Sequence, residues 1–559
     1  MNLKCIVWKL KKCPARLAIL ATIQLLCGNS VILAYSLSGY VSDRKTSASL
    51  AAAKITIINL DTGLRDSILT ASDGSWIFQV PSGLKPEIIL PSAFRVFQNY
   101  PNPFNPATLI GFNIPTAGEV SVEIFNLRGE KVCSRRDWLT AGYHQIRWIS
   151  QGSAGVYFYR IRYGSQQISN KMVQLDGGTA GGLSDFVTEP PPGQLILNRL
   201  HPDRYELICS RFAYHPDTTI VEVMDDLRLD FQLQTIHEFA TVVDLHNDIL
   251  EKMLVDTSYH LKSLHTKNHT DIPRLQTGGV DVQFFSVWAE PVESNPTYYT
   301  NALRMLTIFQ NECRANPATL QQAFNYSELI SINSIGKIAG VIGVEGGHHI
   351  ENDLTKLVQL YTLGMRYMTI TWNNSTSWAV SAADEANGKP GGLTDFGRQV
   401  IRTLDSLGVV IDVSHVGIQT IHDILAVTDH PIIASHSGAR SLYNHYRNLW
   451  DTEIRAIAAS GGVIGIVFYP PFLKGNSATI NDVVNHINYI VNLVGVEHVA
   501  LGSDFDGIGK VVQGLEDTSK FPALTNALLT AGYSEAEVLK ILGGNFLRVF
   551  QQICGTPGI

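Results

Sequence analysis

Two rhythms of apolar and polar residues divide this chain of 559 residues near residue 236. Before that point, short alternating stretches are broken by turn residues, the pattern of an all-β region. KITIINLDTG (54–63) and SWIFQVPSG (75–83) are two such strands, with Asp73-Gly74 as the turn before the second. After residue 236, continuous apolar runs alternate with amphipathic helical stretches such as TDFGRQVIRTLDSLG (394–408) and NDVVNHINYIVNLVG (481–495). Eight runs read as strands: TVVDL (241–245), VDVQFFSVW (280–288), IAGVIGV (338–344), MRYMTIT (365–371), VVIDVS (409–414), PIIAS (431–435), GVIGIVF (462–468) and HVALGS (498–503). Eight β/α units over roughly 300 residues predict an α/β fold of the TIM-type (β/α)8 barrel class, behind N-terminal all-β sandwich modules. An open doubly wound sheet is the competing arrangement.

The placement of polar residues favours the barrel. His246-x-Asp248 follows the first strand, Glu345 ends the third, His415 follows the fifth, His436 the sixth and Asp504 the eighth. A barrel gathers the C-terminal ends of its strands into one ring, where catalytic groups collect. Any of these residues alone is an ordinary core or surface group. Among them, the three histidines, Asp248 and Glu345 form a nitrogen and oxygen donor set that suits zinc. Five protein ligands exceed the need of one open catalytic zinc, so two Zn²⁺ sharing Glu345 explain the count better.

The first residues read as a targeting segment. Lys4, Lys9, Lys11, Lys12 and Arg16 precede an interrupted apolar stretch from Leu17 to Ala34, the layout of a secretory signal peptide over 1–34. An uncleaved anchor is the alternative reading. Beyond this leader, Cys133, Cys209, Cys313 and Cys554 are too sparse to form a disulfide scaffold. Hydrophobic residues make up 45% and charged residues 17%, a globular composition. A net charge of −7 provides no basic footprint for nucleic acid.

Longer motifs add resemblances. SGYVSD (38–43) through SWIFQVPSG looks like the start of a carboxypeptidase-regulatory-like β-sandwich, and residues 205–234 resemble its closing strands. Between them, FQNYPNPFNPATLIGFNIP and the rest of 97–164 resemble the sorting domain of type IX secretion cargo, an immunoglobulin-like sandwich. Such domains usually end a chain, whereas this copy is internal and serves either sorting or spacing. The domain plan is therefore 35–93 for the first part of the β module, 94–180 for the sorting-like sandwich, 181–236 for a linker (PPPG at 190–193) with closing strands, and 237–559 for the barrel.

The barrel resembles the membrane (renal) dipeptidase family of zinc peptidases along its whole length. DLHND (244–248), GVEGGHH (343–349), GMRYMTIT (364–371), IDVSHV (411–416), ASHSGAR (434–440) and GSDFDG (502–507) carry the match. The resemblance implies that His246 and Asp248 bind one zinc, His415 and His436 the other, and that Glu345 bridges them. It implies a metal-bridging hydroxide as nucleophile, Asp504 as acid/base and Arg447 as the clamp on the substrate's free carboxylate, hence a secreted dipeptidase. It is compatible with a homodimer, and with attachment to the cell surface through the β modules. His348, His349, Asp271 and Asp506 are expected to support the site rather than to ligate.

One position departs from the family. Where mammalian members have a histidine that contacts the substrate, this chain has Trp372, in TITWNNSTSW. An indole N–H is donor-only and uncharged. Either Asn373 or Asn374 then donates to the oxyanion, or Trp372 packs on the substrate. Two other readings compete with the dipeptidase: an amidohydrolase acting on another carboxylate-bearing amide, and a surface-binding protein with a catalytically weak barrel.

Overall fold

The computed structural model describes residues 35–80, 93–176, 181–188, 203–290 and 298–555. The leader expected over 1–34 and the PPPG linker lie outside these residues. The chain forms two compact units.

One unit is built mainly from Phe78–Arg204. Its long strands run Ala107–Ile114, Gly118–Asn126, Lys131–Leu139, Gly142–Ile149, Gly155–Tyr163 and Gln166–Gln174. They form two antiparallel sheets, and alternation decides which face is covered. Val120, Val122 and Ile124 point inward with Tyr159, Ile161, Ile110, Phe112 and Trp148, making one dry core. This is the sandwich that the sorting-like segment predicts.

The second unit comprises Ser38–Ile77, Tyr205–Val221 and Arg228 onward. Its small β module is assembled from distant pieces of chain. Lys54–Asn59 pairs antiparallel with Asp203–Ser210, setting Ile55 opposite Cys209 and Ile57 opposite Leu207. Val41 and Asp43 lie parallel to Phe231 and Leu233. The described cysteines are all unpaired.

The rest of this unit is the barrel. Its strands are β1 (Val242–Asp244), β2 (Val280–Val287), β3 (Ile338–Glu345), β4 (Met365–Thr369), β5 (Val410–Asp412), β6 (Ile432–Ser437), β7 (Val463–Ile466) and β8 (Val499–Leu501). They are parallel and neighbour one another in chain order. The ring closes where Leu245 N–H donates to the Leu501 carbonyl at 3.0 Å, and Asn247 bridges to Phe505 beyond. That closure excludes the open sheet.

Burial on both faces explains the unbroken apolar runs: every residue of β3 is buried. The crossovers are amphipathic helices with explicit ends. In Asp395–Leu407, Thr394 caps the first turn, Gly408 ends the helix at φ 68°, and Val400, Ile401 and Leu404 are buried. Among the described residues no helix is long and apolar enough to cross a membrane. The last helix, Asn545–Cys554, packs Phe546 and Phe550 edge-on against Phe284 of β2. The interior is thus filled at the end away from the strand C-termini.

Glycines set the spacing of the last three strands. A Cβ on Gly465 would sit 2.1 Å from the Ser435 carbonyl oxygen, and one on Gly502 only 1.8 Å from it. Neither side can retreat, because the atom in the way is backbone. Gly465→Ala should therefore destabilise the barrel by about 1–3 kcal/mol through overpacking. A thermal melt of the purified chain checks this, and an unchanged midpoint would show that β6 and β7 can separate freely.

Candidate metal centre

The residues expected at the strand ends converge at one mouth of the barrel. His246 and Asp248 leave β1, Glu345 is the last residue of β3, and His415 lies three residues past β5. His436 lies within β6, which runs on to Ser437, and Asp504 lies three residues past β8. All are buried or nearly so, with His246 fully enclosed and Glu345 3% exposed.

Glu345 is the centre of the arrangement. Its Oε2 lies 3.4 Å from His246 Nε2, while its Oε1 lies 2.8 Å from His415 Nε2 and 3.5 Å from His436 Nε2. Asp248 Oδ2 is 3.3 Å from His246 Nε2 on the first side. Donor atoms of His246, Glu345 and His436, and of His246, Asp248 and Asp504, lie within 4.8 Å of one another in two overlapping groups. His246 Nε2 and Asp248 Oδ1 are buried with no hydrogen-bond partner. Buried polar atoms are normally satisfied, so these unpaired atoms fit a bound cation.

The opposite ring edges are already engaged. His246 Nδ1 meets the Tyr367 hydroxyl at 2.7 Å, His415 Nδ1 meets Asn373 Oδ1 at 3.0 Å, and His436 Nδ1 meets Ser435 Oγ at 2.9 Å. Holding Nδ1 turns each Nε2 toward Glu345, the division of labour expected of metal-binding imidazoles. Asn373 is therefore placed to orient His415, with its side-chain oxygen committed there rather than to the substrate.

Backbone strain aims two of the groups. His415 has φ 66° and Asp504 φ 63°, left-handed conformations that cost non-glycine residues on the order of 1–3 kcal/mol. The surroundings hold them. The His415 carbonyl accepts from Ala382 N at 2.8 Å and Thr371 Oγ1 at 3.0 Å, and Asp504 N donates to the His246 carbonyl at 3.1 Å.

Electrostatics follow from burial. Desolvation, then Arg447, pushes His415 down to about 3, and desolvation with His246 pushes His436 well below its usual range. Both are neutral at pH 7, the form that ligates. His246 goes the other way: burial opposes its charge, but Tyr367, Asp248 and Glu345 raise it. Glu345 is held low by His246 and His415 despite burial. Asp504 is raised well above the carboxylate range by burial, then by Asp248 and Glu345.

Arg447 is 3% exposed, with its Nη2 donating to the His436 carbonyl at 3.3 Å and its Nε unpaired. Trp372 is half-buried, its ring 6.1 Å from that of His415 and 5.1 Å from that of Trp288. The supporting residues do local work. Asp506 accepts from His269 N at 2.7 Å, and Asp271 caps the helix Ile272–Thr277 while binding Arg274 at 2.8 Å. His349 Nδ1 bonds the Gly346 carbonyl at 3.0 Å, and His348 Nε2 the Ala289 carbonyl at 3.2 Å.

Two structural carboxylates escaped the sequence reading. Asp244 accepts from Ser503 N at 2.7 Å, Ser503 Oγ at 2.6 Å and Gln283 Nε2 at 2.9 Å, joining β1, β2 and the end of β8. Asp412 accepts from Ser414 N at 3.0 Å, Ser435 N at 2.7 Å and Ser435 Oγ at 2.6 Å, joining β5 to β6. Ser435 Oγ is also the group beside His436 Nδ1. The available signal was an aspartate two or three residues ahead of a candidate histidine, in D-L-H (244–246) and again in D-V-S-H (412–415).

Known proteins resemble both parts of the chain. Residues 98–174 match the model of a secretion system C-terminal sorting domain. An uncharacterized dipeptidase of Schizosaccharomyces pombe is 34% identical over 355 residues, covering 58% of this chain and 85% of that protein. The solved structure of dipeptidase AC, a metallopeptidase of family M19, covers 57% of this chain and 99% of its own, with TM-score 0.53 and 26% identity. A metallopeptidase of Rhodobacter sphaeroides, solved with a phosphinate mimic of the dipeptide L-Ala-D-Ala, shares the fold at TM-score 0.52 and 24% identity, covering 56% of this chain and 99% of its own. The model of membrane dipeptidase, peptidase family M19, matches residues 231–556, more than half of the chain and the whole ring of converging residues, and the protein belongs to that family.

Proposed function

We propose that this protein is a secreted dinuclear-zinc dipeptidase, with His246 and Asp248 on one ion, His415 and His436 on the other, and Glu345 between them. The observation that carries the reading is the division of Glu345, one oxygen toward His246 and the other toward His415 and His436. A carboxylate shared in this way suits two cations a few ångströms apart. Zinc held there supplies Lewis acidity and lowers the pKa of water toward neutrality.

The chain's own groups do the rest. Asp504 is the carboxyl placed beside His246 and Asp248 at the centre. It takes a proton from the attacking water and returns it to the departing amine, so that H and OH are added across the C–N bond. Arg447, buried with an unpaired Nε, holds the free carboxylate of the substrate. That restricts the enzyme to short peptides ending beside the scissile bond. The sorting domain supports a secreted or cell-surface address. Attachment through the β modules and pairing of two copies belong to the same proposal. A second reading, an amidohydrolase acting on another carboxylate-bearing amide, is favoured by Trp372, whose ring stands beside His415 where the family's mammalian members have a histidine.

Arg447 tests the carboxylate clamp that both readings share. Charge-assisted hydrogen bonds contribute about 1.5–3 kcal/mol each, so Arg447→Ala should lower kcat/KM for a free-acid dipeptide by roughly 10–100-fold. A C-terminally amidated dipeptide should already be poor for the wild type and change little. Equal losses on both substrates would assign Arg447 a structural role.

Asp504→Asn should lower kcat by about 10²–10⁴-fold while the protein keeps its full zinc content. Loss of metal by the variant would make Asp504 a ligand instead, in keeping with its place beside His246 and Asp248. Tyr367→Phe removes the acceptor for His246 Nδ1–H and should weaken zinc affinity by about 10–100-fold, measured by competition with a chelator. Unaltered affinity would show that the ring is held by packing alone.

A further inference from the structure

Beside the metal centre, the loops after β4, β5 and β6 enclose a cavity of about 230 Å³. It is smaller than the roughly 300–1,000 Å³ of sites for drug-sized ligands, and suits a single side chain. His415 and Arg447 form part of its wall, as do Val413, Val416 and Ile421. Arg447, proposed above to hold the substrate carboxylate, thus belongs to this cavity as well as to the metal centre.

The polar groups in this cavity are not equivalent. Glu385 is occupied, accepting from Ile418 N at 2.9 Å and Gln419 N at 3.3 Å. Arg440 lies over the Trp450 ring at 4.4 Å and donates to Asn444 at 3.0 Å. Glu453 is different. It is 2% exposed; its Oε1 accepts from Thr452 Oγ1 at 2.9 Å and faces His422 Nε2 at 3.4 Å, while its Oε2 has no partner. It lies in the first turn of the helix Asp451–Ala459. A buried carboxylate oxygen without a donor is costly, and a donor from a ligand would relieve it.

We infer that this cavity receives the side chain of a dipeptide's C-terminal residue, and that Glu453 selects side chains ending in a cation, either an amine or a guanidinium. The inference rests on the dipeptidase reading above. Alanyl-lysine and alanyl-norleucine form the matched pair, since norleucine keeps the length and replaces the ammonium group by a methyl. The full-length, zinc-loaded protein is assayed on both, with alanyl-glutamate and alanyl-alanine, each with L- and D-residues at the C-terminal position.

The wild type should prefer lysine over norleucine by about 10–100-fold in kcat/KM and place glutamate below both, the size of one charge-assisted bond. In Glu453→Gln the lysine-to-norleucine ratio should fall to near one. A wild-type ratio of one or less overturns the subsite whatever the variant does, as does a ratio that survives in Glu453→Gln. Hydrolysis of norleucine or alanine dipeptides without a lysine preference removes the subsite and leaves the dipeptidase standing. No hydrolysis of any of them overturns the dipeptidase reading and the subsite with it.

Discussion

Three carboxylates, Asp248, Glu345 and Asp504, share one largely buried barrel mouth, and their mutual repulsion governs the rest of the site. Burying charges of one sign is tolerable only when cations or proton uptake offset them. The chain meets this in several ways at once. His246 is drawn toward its charged form, Asp504 toward its neutral form, and Arg447 is buried nearby. His415 and His436 remain neutral donors on the other side of Glu345. Such a pocket is a poor place for apolar groups and a favourable one for divalent cations.

A site built on electrostatic tension needs a stiff frame, and the barrel provides one. Asp244 and Asp412 each tie neighbouring strands through several short hydrogen bonds just ahead of a histidine segment. They are buried carboxylates of a different kind, saturated by donors and therefore inert. Glycines at 465 and 502 let β6, β7 and β8 approach so closely that no side chain could intervene. The left-handed turns at His415 and Asp504 are stable only because the loops around them are pinned by backbone and hydroxyl donors. Rigidity, strain and unsatisfied donor atoms thus occur in one place.

The β modules follow a different logic. Lys54–Asn59 and Asp203–Ser210 share a sheet although about 150 residues separate them in the chain. The sorting-like sandwich is accommodated within that gap as a self-contained core. Such insertion is tolerated when the inserted piece buries its own apolar face and the host pairing is specified by alternating side chains.

The sequence by itself determined what periodicity and strand-end placement can express. Runs such as IAGVIGV, apolar on both faces, require cover on both sides, and eight of them separated by capped helices admit few folds. His246, Asp248, Glu345, His415, His436 and Asp504 were legible because a barrel collects strand ends irrespective of chain distance. The tertiary structure alone decided between a closed ring and an open sheet, since closure depends on Leu245 meeting Leu501 across more than 250 residues. It alone decided which histidine edge faces Glu345, because that depends on partners from other strands: Tyr367, Asn373 and Ser435. It also separated carboxylates that look alike in sequence, Asp244 and Asp412 saturated, Glu453 and Asp248 each with an oxygen left bare. The physical reason is the same throughout. Local pattern records which face is buried, whereas the role of a buried polar atom is set by what folding brings within three ångströms of it.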